Sequence, residues 1–384
     1  MRILAVTYSR AMFGANRSLL AMMKDLRDRY SVETEVLMPS VVDGDFAEVL
    51  DEEGFAHYEM SMKMWVYPLD INHKSLRSLS ARIKTFFLAK SIDKLLKQNT
   101  YDLIYTNNST VQYGAILAQK WRLPHVWHVR EMGTLHYNIE FSYPRKERIA
   151  YFKKASAVIV ISNAVEEYAK TELCPGANIK KLYNGIYLDK KPRIPGQNEC
   201  VKVVCVGALQ PGKRQMELLE AAKILLSQYD LDSKKFCIYL VGSGPSEESL
   251  RDYAKDNGLD GVVEFCGYRP DVRSMLDSMD IGVTCSRSEG FGRVTCEYME
   301  ASLPVVGTDS GATPELVEDG FNGYLYPPGK TDILAERLWA LISDREGLRS
   351  MGKRAYERVY RDFSVTRNTD EMHKVFIGAR ECGK

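Results

Sequence analysis

No two cysteines in this chain are spaced as CxxC, and none stands at metal-ligand spacing from a histidine, although there are 8 Cys and 6 His. That leaves no sequence case for a structural metal. Several cysteines (Cys205, Cys237, Cys266, Cys285) fall in or beside apolar strand-like runs and suit small core positions in a reducing compartment. Long apolar runs are missing too: no segment approaches the roughly 18 residues of a spanning helix. The apolar part of the opening MRILAVTYSR is too short for a signal peptide and suits a first buried strand. A basic excess is also absent, since 52 Lys and Arg stand against 51 Asp and Glu. A net charge of +1 argues against a nucleic-acid partner. There is no short-period repeat, no low-complexity tract, and no GxGxxG after the first strand. The expected location is the cytoplasm, with attachment to the inner face of the membrane left open.

What is present is a soluble α/β pattern in a chain of 384 residues, long enough for two domains. Ile3 to Thr7 leads through a small-residue loop to Gly14, Ala15 and an apolar run, the start of a Rossmann-like unit. Gly14 and Ala15 would let a phosphate approach the helix start, although a plain helix start fits equally. Charge is segregated next: residues 31–60 hold nine acids and no Lys or Arg, and residues 61–100 hold eight basic residues against two acids. Within 74–98 apolar residues recur at near-helical spacing, beside Trp65 and Tyr67. A surface helix packing its apolar stripe on its own domain fits this stretch. A basic amphipathic helix resting on an anionic membrane fits it as well. The pair Asp43 and Asp45 suggests no third ligand and is expected in a turn, with no metal. The strand-like run 124–131 puts His128 and Arg130 on one face and ends at Glu131, where open α/β sheets bind ligands.

A polar, proline-containing stretch, 186–200, separates this half from a second α/β alternation. There Val201 to Val206 meets a glycine turn, 207–212, followed by Lys213 and Arg214, chemistry suited to a diphosphate. Gly242 and Gly244 resemble half a dinucleotide motif, which Pro245 and two following acids discourage. Tyr268 and Arg269 mark a turn that could border a nucleotide base. The run SEGFGRVTCE then sets Glu289 and Glu297 eight positions apart around Gly290, Phe291 and Gly292. Strand, glycine turn and helix in that order make an anion site at the helix start.

These motifs resemble the retaining nucleotide-sugar glycosyltransferases of the GT-B fold, the class numbered family 4. The resemblance covers nearly the whole chain and is most specific from the 207–213 turn through SEGFGRVTCE to Gly323. It implies two Rossmann-like domains facing a central cleft: 1–185 on the acceptor side, a linker at 186–200, and 201–362 for the nucleotide sugar. A helix within 363–384 would cross back to the first domain. By the same resemblance Glu289, with Gly290, Phe291 and Gly292, holds the donor sugar, Glu297 the ribose, and Lys213 the diphosphate. His128 matches the histidine near the transferring centre. Ala208 stands where the family usually has arginine, which makes Arg214 the candidate second cation. The expected activity is retaining transfer of a hexose from a UDP- or GDP-linked donor to a saccharide or lipid-linked saccharide, with no cofactor and no metal. Two other readings stay open: a nucleotide-sugar 2-epimerase of the same fold, and a non-catalytic nucleotide-sugar-binding protein.

Overall fold

Strands whose residues are apolar on both faces need helices above and below them, and both halves of the chain are built that way. The computed structural model describes the chain except residues 41–42, 69–73, 97–99, 134–138, 198, 230, 233 and 383–384, with backbone only at 68 and 74–81. Two units result, Met1–Tyr187 with Val365–Lys384, and Leu188–Ser364.

In the first unit β1 (Arg2–Val6) leads into α1 (Gly14–Tyr30), followed by β2 (Glu33–Pro39), α2 (Phe46–Glu52), β3 (His57–Met60), β4 (Val66–Pro68) and α3 (Lys74–Leu96). Then come β5 (Leu103–Thr106), α4 (Tyr113–Trp121), β6 (His125–Val129), β7 (Ile139–Phe141), α5 (Arg145–Lys153), β8 (Ala157–Val160), α6 (Asn163–Tyr168) and β9 (Ile179–Lys181). Seven strands form a parallel sheet in the order β3-β2-β1-β5-β6-β8-β9, and β4 pairs antiparallel with β7. The chain reverses direction across the sheet between β1 and β5, so ligand chemistry is expected beyond their carboxyl ends. The C-terminal helix, Val365–Cys382, joins this unit: Met372, Val375, Phe376 and Ala379 enter the core shared by β1, β2, β5 and α1. Arg29 pairs with Asp370 at 2.6 Å and Tyr30 stacks on His373, fastening helix to helix.

The apolar residues of α3 do not share one face. Ala89, Ile92 and Leu96 pack against Tyr113 and Leu117, while Ile83, Phe86, Phe87 and Leu95 stand exposed. Their spacing predicted a helix but could not say which residues the rest of the domain covers. Residues 97–98 of that expectation lie outside the described residues.

In the second unit β10 (Val201–Val206), α7 (Met216–Gln228), β11 (Phe236–Val241), α8 (Glu247–Asp256), β12 (Val263–Gly267), α9 (Val272–Met275) and β13 (Ile281–Thr284) precede α10 (Arg293–Glu300). They are followed by β14 (Val305–Thr308), α11 (Thr313–Leu316), β15 (Gly323–Tyr326), α12 (Thr331–Ser343) and α13 (Arg345–Asp362). The sheet is parallel, in the order β12-β11-β10-β13-β14-β15, with its reversal between β10 and β13. Tyr298 locks that junction: it is fully buried and accepts the Val206 amide at 2.7 Å. A Cβ on Gly282 would meet its ring at 2.4 Å, so glycine is required beneath it.

Much of 186–200 is held along the second unit rather than free. Asp280, buried at the start of β13, accepts the Gly196 amide at 2.6 Å and the Lys202 amide at 2.9 Å. Glu300 accepts the Asp189 amide at 3.0 Å and pairs with Arg273 at 2.7 Å. Buried carboxylates need donors, and this stretch supplies them.

Phe376 is fully buried, edge-on to Tyr105 at 5.7 Å. Phe376→Ala is expected to destabilise the first unit by about 3–5 kcal/mol, the usual range for emptying an aromatic core site. Urea unfolding followed by circular dichroism checks this.

Candidate active site

At the reversal of the second sheet, two turns meet. The turn after β10 passes through Pro211–Lys213 as a short 3-10 helix, and the turn after β13 runs into α10. The Arg287 amide donates to the Gly212 carbonyl at 2.9 Å, joining them by backbone. Across that joint Lys213 Nζ donates to Glu289 Oε1 at 2.6 Å. Both side chains keep some exposure, 31% and 19%, so a ligand can reach the pair.

The Glu289 turn is fixed from a third side. The Ala312 amide donates to the Glu289 carbonyl at 2.9 Å, Ser310 Oγ to the Arg287 carbonyl at 2.5 Å, and Thr308 Oγ1 to the Ser286 carbonyl at 2.8 Å. Gly311 has φ +59°, and a Cβ there would lie 2.6 Å from the Glu289 nitrogen. Only glycine allows that approach. Gly292 caps α10 with φ +93°, and the Phe291 ring is buried edge-on to Phe363 at 5.8 Å. What Gly290, Phe291 and Gly292 offer a ligand is therefore backbone rather than side chain. Glu297, just over one turn into α10, is largely buried, with Arg293 Nε 3.3 Å from its Oε1.

Arg214 does not accompany Lys213 as expected. It takes the left-handed conformation, φ 52°, and its guanidinium pairs with buried Glu217. Glu217 also accepts from Tyr326 Oη at 3.0 Å and the Gly329 amide at 3.1 Å. An acid three positions along the next helix was the available sequence signal for this engagement. Arg293, at the first turn of α10, is the cation that sequence reasoning passed over. Gly242 and Gly244 serve packing: added Cβ atoms would fall 2.0 Å from the Gly207 carbonyl oxygen and 2.3 Å from that of Leu209. Tyr268 is exposed, and Arg269 is held by Asp271 at 2.8 Å.

At the reversal of the first sheet stands a polar network. Gly14 opens α1, whose first turn carries no acid, and the Ala15 carbonyl accepts from Asn107 Nδ2 at 3.2 Å. Asn16, buried, donates to the Ser9 and Ala11 carbonyls at 2.9 Å and accepts from Thr7 Oγ1 at 2.7 Å, which fixes the loop before α1. Of the pair Asp43 and Asp45, the second supports the same loop: Asp45 Oδ1 accepts the Met12 amide at 3.3 Å, and Gly44 sits against Arg10. His128 lies beneath the edge, only 1% exposed. Its Nδ1 shares a 2.6 Å hydrogen bond with Tyr105 Oη, and its Nε2 has no partner among the described residues. Arg130, next on the same face, reaches the edge itself and donates to Asn107 Oδ1 at 2.9 Å. Asn107 gave no motif in the sequence, yet it ties the α1 loop to β6.

Burial holds His128 well below the usual imidazole range, with the Arg130 charge acting the same way, and burial pushes His125 down to about 3. Both are neutral in the fold, so the folded state resists protons that the unfolded chain takes up near pH 6.5. Their contribution is complete above that pH and is lost as pH falls below it. Between pH 6 and 4.5 stability should fall by up to about 1.4 kcal/mol per unit for each histidine. His125→Gln should flatten that slope, which urea unfolding at a series of pH values reads.

Two family models match: "Glycosyltransferase Family 4" over residues 14–190 and "Glycosyl transferases group 1" over residues 189–358. Among relatives, N-acetyl-alpha-D-glucosaminyl L-malate synthase from Bacillus anthracis is 26% identical, over 58% of this chain and 60% of its own length. The Escherichia coli UDP-Gal:alpha-D-GlcNAc-diphosphoundecaprenol alpha-1,3-galactosyltransferase is 26% identical, over 75% of this chain and 78% of its own. In structure the chain is similar to HepE from Anabaena, solved in complex with UDP, with a TM-score of 0.78 at 23% identity, covering 97% of this chain and 99% of that one. With two parallel-sheet α/β units and motifs in this order, the chain belongs to the family 4-type glycosyltransferases of GT-B fold.

Proposed function

We propose that the chain is a retaining hexosyltransferase that takes its sugar from a UDP-linked donor and passes it to a saccharide carried on a lipid. The observation that carries this reading is the Lys213–Glu289 pair at the joint of the two turns. A diphosphate arriving there would take the ammonium and the backbone donors at the start of α10, and release the Glu289 carboxylate for a sugar hydroxyl.

Transfer builds positive charge on the sugar and negative charge on the departing diphosphate. Preorganised donors aimed at the leaving group supply the larger electrostatic task. Lys213, the α10 dipole and, after Ala208, Arg293 fit that role, so the reaction needs no metal for countercharge. Glu289 accepts from Lys213 and Glu297 is paired to Arg293, an arrangement suited to orienting hydroxyls rather than attacking carbon. Same-face attack, with the departing phosphate accepting the acceptor's proton, then retains configuration. UDP is preferred as the donor nucleotide because the HepE complexes contain UDP and UDP-glucose. A lipid carrier is supported by the diphosphoundecaprenol acceptor in the galactosyltransferase's name and by α3. On that helix exposed Phe86 and Phe87 stand among exposed Lys84, Lys90 and Lys94, apolar and basic groups that suit an anionic bilayer.

Incubation with UDP-hexoses and a lipid-linked saccharide should yield a product of unchanged anomeric configuration by NMR, in the presence of EDTA. Lys213→Ala should lower the rate by about 10²–10³-fold, as for loss of one preorganised donor. An epimerised sugar nucleotide formed without acceptor would replace the transferase with the epimerase. Co-sedimentation with anionic liposomes at low salt should be lost in the double variant Phe86→Ser, Phe87→Ser. No sedimentation of the parent would remove the membrane from the account.

A further inference from the structure

The first unit carries a guanidinium whose charge the fold leaves open. Arg130 follows the last residue of β6, at the carboxyl edge beside the sheet's reversal. Its Nε donates to Asn107 Oδ1 at 2.9 Å, its Nη2 to Tyr105 Oη at 3.2 Å, and its Nη1 to Asn184 Oδ1. All three acceptors are neutral. A guanidinium has five N–H groups, so one on each terminal nitrogen remains without a partner among the described residues. Two N–H groups, one on each arm of a planar fork, match two oxygens of one anion.

The nearest acid, Glu131, feels the Arg130 charge but makes no ion pair with the guanidinium. Glu131, next in sequence, turns to the other face and accepts from the Ser109 amide at 2.8 Å and from Ser109 Oγ at 2.5 Å. His128 is neutral, and the first turn of α1, tied in through Asn107, contains no acid and adds its own positive dipole end. Three other half-buried arginines of this unit have carboxylates: Arg2 has Glu35, Arg29 has Asp25 and Asp370, and Arg10 has Glu48 and Glu59, whereas Arg148 is held by the Glu172 and Leu173 carbonyls. At Arg130 the corresponding positions are amides and a phenol.

The geometry is also held from behind. Gly185 lies so close to the C-terminal helix that a Cβ would sit 2.7 Å from Val365 Cα, and Asn368 Nδ2 donates to the Tyr183 carbonyl at 2.5 Å. That clamp sets Asn184 against Arg130. A clasp needed only to hold Asn184 gains nothing from an uncompensated charge, which costs desolvation energy.

We propose that Arg130 binds an oxyanion, a phosphoryl or carboxylate group, carried by the acceptor. This rests on the transferase reading above and on the first unit taking the acceptor, as the resemblance to the GT-B class implies.

The test uses the full chain saturated with UDP, titrated with inorganic phosphate by calorimetry. Asn184→Asp keeps the shape of the network and places a carboxylate on Nη1. Phosphate binding should weaken at least tenfold, with UDP affinity unchanged and the melting temperature equal or higher. A variant that binds phosphate as the parent does, or a parent that binds none, overturns the proposal. Loss of UDP affinity in Asn184→Asp would move the anion to the donor's diphosphate and also overturn it. If the parent fails to bind UDP, the donor reading falls, while the phosphate titration still reports on Arg130. Should Asn184→Asp melt early, Arg130→Lys keeps the charge but not the fork. It should lose at least threefold in phosphate affinity, and no loss would be decisive against the proposal.

Discussion

The second unit's chemistry depends on Lys213 reaching Glu289 across two turns that share a backbone hydrogen bond. Neither residue is fixed by its own turn alone. Lys213 ends a short 3-10 helix, and Glu289 is held in place because Gly311 lets the 308–312 loop lie directly on its backbone. A cation and an acid waiting on each other keep both in geometry and cost little to separate when a ligand offers better partners. Partial exposure makes that exchange possible, since a fully buried pair would be hard to open.

Both polar networks sit where their sheets reverse, at the ends of β1, β5 and β6 in one unit and of β10 and β13 in the other. At such points neighbouring loops diverge to opposite faces and leave backbone and side chains facing open space. The first network is built on neutral amides around one guanidinium. The second is built on paired ions.

The sequence carried the fold well, because β-branched runs, glycine turns and helix starts are local signals. It also marked Lys213 on one strand–turn–helix unit, and Glu289 and Glu297, eight positions apart, on another. Which partner each side chain settles on was less legible. Arg214 has the right charge beside Lys213, but Glu217 draws it elsewhere. His128 stands at a strand end in sequence, yet one more residue of strand puts Arg130 at the edge and His128 in the interior. Asn107 and Asn184 lie 77 residues apart and meet only on Arg130. In α3 periodicity marked the helix, while the choice of covered face belonged to Tyr113 and Leu117 on another element.

A crystal structure of the chain soaked with UDP tests the central claim most directly. The β-phosphate should lie within hydrogen-bonding distance of Lys213 Nζ and the α10 start, with Glu297 at the ribose and Glu289 parted from Lys213. Nucleotide bound elsewhere, or bound with the Lys213–Glu289 pair intact, would contradict the account.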